Sequence, residues 1–357
     1  LAGSYLNAIR GFERTDIAAG VHVGQQLVTA LLLAAVLWLG GRLGAALSAQ
    51  VLVGLLVLIV VSRTRHFVGI GALGFRLSTL KELLREGSPF LLLGVSMALQ
   101  PNIDAFFLSR YASPEAVGWH AAANKLVGTL LMPVSTLVAA LYPTLCRLHA
   151  TDRAAFLRTT QGAISTTSLL VVPIALGCGL FPDLGIRLLG QDSFEPAETN
   201  LRILAVFLFL VYFTMTLGVS LIAAGHQKAW SITQFLCVVV SLVLDPFLVP
   251  YFQSRYGNGG LGVCVAVVFS EMLMLGVGLF LAPRGVFERG LFRLLGSALL
   301  GGLAMAGVAH LLAGVSTFIA APLAIAAYVA GLAVSGGLSR ERLSLLREII
   351  SKKTGRA

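Results

Sequence analysis

Six side chains stand where their chemistry is costly: Gln100, Asp104, His120, Asn124, Lys125 and Glu271 all fall inside long apolar runs. An Asp or Lys near the centre of a membrane-spanning helix is unfavourable by roughly 2.5–3.5 kcal/mol, so such residues face a partner or a wet cavity. Asp104 lies six residues before Arg110, and Lys125 seven after Gly118. At 1.5 Å per residue, both sit about 10 Å in from the same end of a helical hairpin. Two readings are open. Opposite charges at matched depth can pair and fix how the hairpin packs, or they can line a path for a substrate or an ion.

Gln100 precedes Asp104 by one turn on the same face, where a carboxylate could gate by binding a proton. His120 and Asn124 share a face at i, i+4 and adjoin Lys125. They read either as a polar stripe bonded to a neighbouring helix or as ligand contacts. Glu271, beside Ser270, lies near the middle of a later span and reads as a cavity-facing or ion-coupling carboxylate. Asp245 adjoins Pro246, where a structural role beside freed carbonyls is favoured. The sequence contains no nucleophile, base and orienting group in a recognised pattern, and no phosphate loop, so no catalytic residue and no cofactor is expected. Cys146, Cys178, Cys237 and Cys264 are scattered without CxxC or Cys/His spacing, which indicates neither a disulfide framework nor a metal site.

The elements that must hold these residues follow from composition. The chain has 357 residues, 57% of them hydrophobic and 12% charged, with a mean hydropathy of +0.88. That is too apolar for a soluble domain of this size. Apolar runs of about 20 residues recur along the chain, the signal of membrane helices rather than of barrel strands, so the fold class is all-α and polytopic. Hydropathy places ten spans near 17–39, 43–62, 88–110, 117–145, 160–182, 201–224, 229–251, 260–282, 291–313 and 315–335. Residues 1–9 read as the last turns of a helix whose beginning is missing.

The net charge of +10 does not indicate nucleic acid, because the charges sit between spans. Alternate connections carry twenty of the 26 Lys and Arg, from Arg10 to Arg356. The positive-inside bias makes those connections cytoplasmic, together with the C-terminus. Segment 63–87 contains GFRLSTLKELLREG, which predicts a short amphipathic helix on the inner membrane surface. The basic tail 336–357 has the same character and suits anionic membrane lipids. The loop 183–200 is the one sizeable outer segment. A weak echo at an offset of 214, Gly11 and Arg14 against Gly225 and Lys228, suggests a duplicated bundle.

Several stretches resemble one family. They are Pro89-Phe90, Ile103-Asp104, Val117-Gly118 with Ala121 to Lys125, Pro133 and Tyr142-Pro143, then LIAAGHQK at 221–228, VLDPFLVPYF at 243–252 and GNGGLG at 257–262 before Ser270-Glu271. Together these are similar to the polysaccharide transporters, or oligosaccharide flippases, of the MOP superfamily, which includes the MATE exporters. The chain departs from that pattern at His120, where Tyr is frequent, and at Asp245, where Asn is.

The resemblance implies a MATE-like bundle of two helical lobes around a central cavity. Residues 1–62 would be the remainder of the N-terminal lobe, 63–87 an interlobe linker and 88–283 a six-helix C-terminal lobe, with 284–335 as two added spans. It further implies flipping of polyprenyl-pyrophosphate-linked oligosaccharide from inner to outer leaflet of the cytoplasmic membrane by alternating access, for surface polysaccharide biosynthesis. A coupling proton or Na+ and polysaccharide assembly proteins would be its partners. An anionic pyrophosphate needs cationic or hydrogen-bonding groups in a wet cavity, and Lys125 is the one Lys inside a span. Two competing readings are a drug/cation antiporter on the same fold, which favours a carboxylate-lined cavity, and a polytopic polymerase or glycosyltransferase, which needs a large acidic or Arg-bearing outer loop that 183–200 does not supply.

Overall fold

The structure is a computed structural model, and it describes residues 15–41, 43–64, 77–187, 194–287 and 289–337. The N-terminal remnant 1–9 and the tail beyond 337 lie outside the described residues. Twelve helices and no strands occur among those residues. They are α1 (Thr15–Trp38), α2 (Leu43–Thr64), α3 (Leu77–Tyr111), α4 (Pro114–Leu130), α5 (Met132–Thr151), α6 (Arg153–Leu180), α7 (Pro182–Arg187), α8 (Ala197–Ala223), α9 (Gln227–Tyr256), α10 (Gly260–Leu281), α11 (Arg289–Leu311) and α12 (Thr317–Val334). Among the described residues eight helices are long and apolar enough to cross a membrane, and nine if α4 and α5, bent by 41° at their junction, are counted as one broken span. The tenth expected span corresponds to α1, which holds a shorter apolar run, Gly20–Val36. The chain is an all-α polytopic membrane protein.

Contacts divide the chain into two units, Leu1–Glu82 and Leu83–Ala357. In the first unit α1 and α2 pack on a seam of Ala49, Val53, Val57 and Val61, spaced by four along α2 and all buried. That spacing puts a stripe on one helical face. The predicted surface helix near 74–87 and the predicted span at 88–110 run together as the single helix α3. Pro89 does not interrupt it: the Ser88 hydroxyl donates to the Arg85 carbonyl that Pro89, lacking an N–H, leaves open.

The second unit is built around α8, which packs against α4, α5, α6, α7, α9 and α10. Its Ala, Gly, Ser and Thr positions, among them Ala205, Thr216, Gly218 and Ser220, are buried and let neighbours approach from most sides. A helix apolar on all sides belongs inside a bundle. Sequence sets the turns: Ser113 caps α4 by accepting from the Ala116 N–H, and Asp152 caps α6 by accepting from Ala155. Pro133 sits just past the break between α4 and α5, whereas Pro173 and Pro246 lie within unbroken helices.

The closest crossing joins α9 and α10. A side chain on Gly262 would meet the Leu248 carbonyl carbon at 2.6 Å and the Val249 nitrogen at 2.7 Å. The same pair is stitched reciprocally, Cys237 Sγ donating to the Ser270 carbonyl and Ser270 Oγ to the Cys237 carbonyl. Cys178, Cys237 and Cys264 are buried free thiols.

The helices α11 and α12 pack on each other and on α6. The anchor is specific. Pro173 lacks the N–H that would meet the Leu169 carbonyl, and Tyr328 Oη of α12 donates to that carbonyl at 2.9 Å. Tyr328→Phe is therefore expected to lower stability in detergent by roughly 0.6 to 1.7 kcal/mol, the scale of hydrogen bonds between membrane helices. In a Pro173→Ala background the restored N–H meets the carbonyl itself, so the same change should cost less. Thermal unfolding of the four proteins checks this, and equal costs in both backgrounds would refute the coupling.

Candidate functional site

Within the second unit, α3, α4, α5, α8, α9 and α10 enclose a cavity of about 490 Å³. Each helix contributes one face. On α3, Met97, Gln100, Pro101 and Asp104 line it; on α10, Val263, Val267, Glu271 and Met274 do, at spacings of three and four. Helix α4 supplies His120 and Asn124, and the stripe continues past the bend with Leu131 and Ser135. Helices α8 and α9 add Phe207, Thr214, Met215, Trp230 and Gln234. The bend at Leu131 is braced from α8, where Tyr212 Oη donates to the Leu130 carbonyl.

The polar groups form linked pairs. Gln234 Nε2 donates to Gln100 Oε1 at 3.1 Å, tying α9 to α3. Thr214 Oγ1 donates to the Glu271 carboxylate, tying α8 to α10. His120 Nδ1 lies 3.6 Å from Cys264 Sγ, with the His120 ring buried between α4 and α10. One turn beyond Gln100, the Asp104 carboxyl sits against the Asp245 carboxyl and the Ser241 hydroxyl of α9. These groups touch without the alignment of full hydrogen bonds. One Asp104 oxygen, both Asp245 oxygens and Ser241 Oγ are buried with no partner. Two carboxylates can only accept. A proton or a cation between them is what would let them sit together stably.

Five of the six residues singled out in the sequence, Gln100, Asp104, His120, Asn124 and Glu271, converge on this one cavity. Lys125 does not: it is exposed and outside the cavity lining, and pairing with Asp104, one of the two readings left open, is not found among the described residues. The reason is angular. Successive helical residues are about 100° apart, so a face presenting positions 120 and 124 turns 125 away. Matched depth was therefore not enough to bring Asp104 and Lys125 together.

Asp245, read as a structural residue beside Pro246, is instead the partner of Asp104. Gln234, Ser241 and Asp245 were legible as one face of α9, being spaced by seven and four. Thr214 and Trp230 carried no such signal. The lining contains two acids and no Lys or Arg. A larger groove of about 660 Å³ between α6, α8 and α11 is lined by apolar side chains apart from Arg202, as a lipid-facing cleft is. In the segment read as the outer loop, Asp183 accepts from Thr317 Oγ1 at 2.5 Å and pins α7 to the start of α12.

Two family models match the sequence. One, described as "Polysaccharide biosynthesis protein", covers residues 2–149. The other, "MatE", covers residues 89–247 and so spans α4 to α8 with most of α3 and α9. No curated protein matches the chain.

Proposed function

Because the chain is a polysaccharide-transporter, MATE-like member of the MOP exporter superfamily, we propose that it flips polyprenyl-pyrophosphate-linked oligosaccharide across the cytoplasmic membrane. The reaction is alternating access without covalent chemistry, from the inner to the outer leaflet, in the service of surface polysaccharide assembly. The observation carrying this reading is a cavity that gathers Gln100, Asp104, His120, Asn124, Gln234 and Glu271 among helices that a hydrocarbon solvent would otherwise keep apolar, with Asp245 against Asp104 behind its lining. A structural brace needs one satisfied partner per polar group. Here one oxygen of Asp104 and both of Asp245 have none.

The parts divide the work. Asp104 and Asp245 take the coupling proton or Na+, and its arrival or departure biases the bundle between two arrangements. Lys125, on the exposed side of α4, meets the pyrophosphate, for which a mobile ammonium is a suitable point charge. Residues 1–62 belong to the N-terminal lobe, 63–87 to the interlobe linker, 88–283 to the C-terminal lobe and 284–335 to two added spans, with the basic tail 336–357 in the cytoplasm. Polysaccharide assembly proteins and anionic lipids are the expected neighbours.

The test uses the purified protein in proteoliposomes with a fluorescent polyprenyl-pyrophosphate saccharide. Wild-type protein should expose the label to an outside quencher. Lys125→Ala should slow that exposure by at least about tenfold, equivalent to about 1.4 kcal/mol, with unchanged insertion and unfolding temperature. A wild-type rate no higher than that of protein-free vesicles would reject the flippase.

The acid-lined cavity favours one second reading, a cation antiporter on the same fold. It expects uptake of tetraphenylphosphonium against a proton or Na+ gradient and no effect of Lys125→Ala.

A further inference from the structure

The sequence motifs around Phe90 and Tyr142 are not used by the cavity described above. In the structure they line a second pocket of about 380 Å³, with Val138, Met215, Gly218 and Trp230. Trp230 and Met215 line both spaces, so one wall separates them. The indole is seated by absence: a side chain on Gly218 would come within 2.6 Å of it, and one on Gly278 within 3.3 Å. One side of this wall carries the amides of Gln100, Asn124 and Gln234 beside two acids, and the other carries the exposed rings of Phe90 and Tyr142.

We propose that the two pockets are successive stations for uncharged sugar rings of the transported glycan. Gln100, Gln234 and Asn124 would meet hydroxyls, and the exposed rings of Phe90 and Tyr142 would stack against the C–H faces, with the buried Trp230 as the wall behind them. This inference rests on the flippase reading and assigns one part of its substrate to these residues.

Three observations select the ligand class. Sugars are amphiphilic rings: equatorial hydroxyls demand paired donors and acceptors, which side-chain amides supply from one group. Their C–H faces are apolar and match rigid aromatic surfaces in a site otherwise short of polar atoms. Neither pocket is lined by Lys or Arg, so neither offers the charge a pyrophosphate requires. An organic cation would favour rings and carboxylates together, but the pocket of Phe90 and Tyr142 has no acid in its lining. The Gln100–Gln234 bond uses one amide nitrogen and one amide oxygen. That bond does not use the other halves of the two amides, the donor Gln100 Nε2 and the acceptor Gln234 Oε1.

The experiment is saturation-transfer NMR on the full chain in nanodiscs, with N,N′-diacetylchitobiose, maltose and lactose as uncharged probes and tetraphenylphosphonium as the cationic one. At least one disaccharide should receive saturation on its ring C–H protons. Phe90→Ala with Tyr142→Ala should weaken its binding by about tenfold, and Gln234→Ala should weaken it as well. An unchanged unfolding temperature in each variant makes the loss one of binding. No transfer to any disaccharide overturns the proposal, as does stronger transfer to tetraphenylphosphonium that needs Glu271. A disaccharide signal indifferent to Phe90 and Tyr142 also overturns it. The same preparations enter the vesicle assay. Flipping by wild type with no loss in the Phe90→Ala, Tyr142→Ala protein rejects the stations alone, whereas a wild type that does not flip rejects the function on which they rest.

Discussion

Asp104→Asn is expected to slow flipping of lipid-linked oligosaccharide by about a hundredfold, the equivalent of about 2.7 kcal/mol in the barrier, while leaving as much folded protein in the membrane as wild type. The asparagine keeps the shape of the side chain. It also brings an N–H that can donate to the Asp245 carboxylate, which in the native protein touches a second acceptor and has no partner of its own. The substitution therefore builds in permanently what a proton or cation supplies transiently, and a bundle that cannot release it cannot return.

Two further results distinguish this from simple damage. The unfolding temperature should hold or rise, because an unpaired buried acid has been removed. The residual rate should no longer respond to an imposed pH or Na+ gradient. Asp245→Asn, the mirror substitution, should behave alike. A variant that flips at the native rate and still follows the gradient would show that these carboxyls do not couple transport.

The second large effect concerns the scaffold. Gly262→Leu is expected to leave no recoverable folded protein, and Gly262→Ala to cost about 1–3 kcal/mol, the usual range for overpacking. The atoms that a side chain would strike, the carbonyl of Leu248 and the nitrogen of Val249, belong to the backbone of α9 and cannot rotate aside. Relief requires the whole crossing to open. That breaks the reciprocal Cys237–Ser270 bonds and lifts Asp245 away from Asp104. Gly276 on the same helix is the control, since nothing lies within 4 Å of an added side chain there; Gly276→Ala should be neutral. Monodisperse yield and thermal unfolding in detergent report both. Equal stability of Gly262→Ala and Gly276→Ala would contradict the packing described.

The helices were legible because hydropathy is local: about 20 apolar residues need a spanning helix wherever they occur. Convergence of Gln100, Asp104, His120, Asn124 and Glu271 was legible for a related reason, since polar groups in apolar runs have few places to go. Their partners were not. Depth follows from counting residues, but azimuth depends on how each helix is rotated against its neighbours, and that is set by packing of distant residues such as Gly262 on Leu248. Lys125 was matched to Asp104 by depth and lost to azimuth. Asp245 was discounted for its adjacent proline, yet it sits eleven residues from Gln234 on the face turned to α3. Trp230 is placed by what Gly218 lacks, a relation between two helices that neither stretch announces alone.

Tyr328 on Leu169 has a consequence for biogenesis. Helix α6 leaves the ribosome with an open acceptor near its centre, and the hydroxyl that closes it arrives only with α12. Until then the nascent bundle holds a carbonyl without its hydrogen bond in an apolar helix, which is costly in hydrocarbon. A chain lacking α11 and α12 should accordingly be less stable in the membrane than one that carries them, because the Leu169 carbonyl then has no Tyr328 hydroxyl to meet.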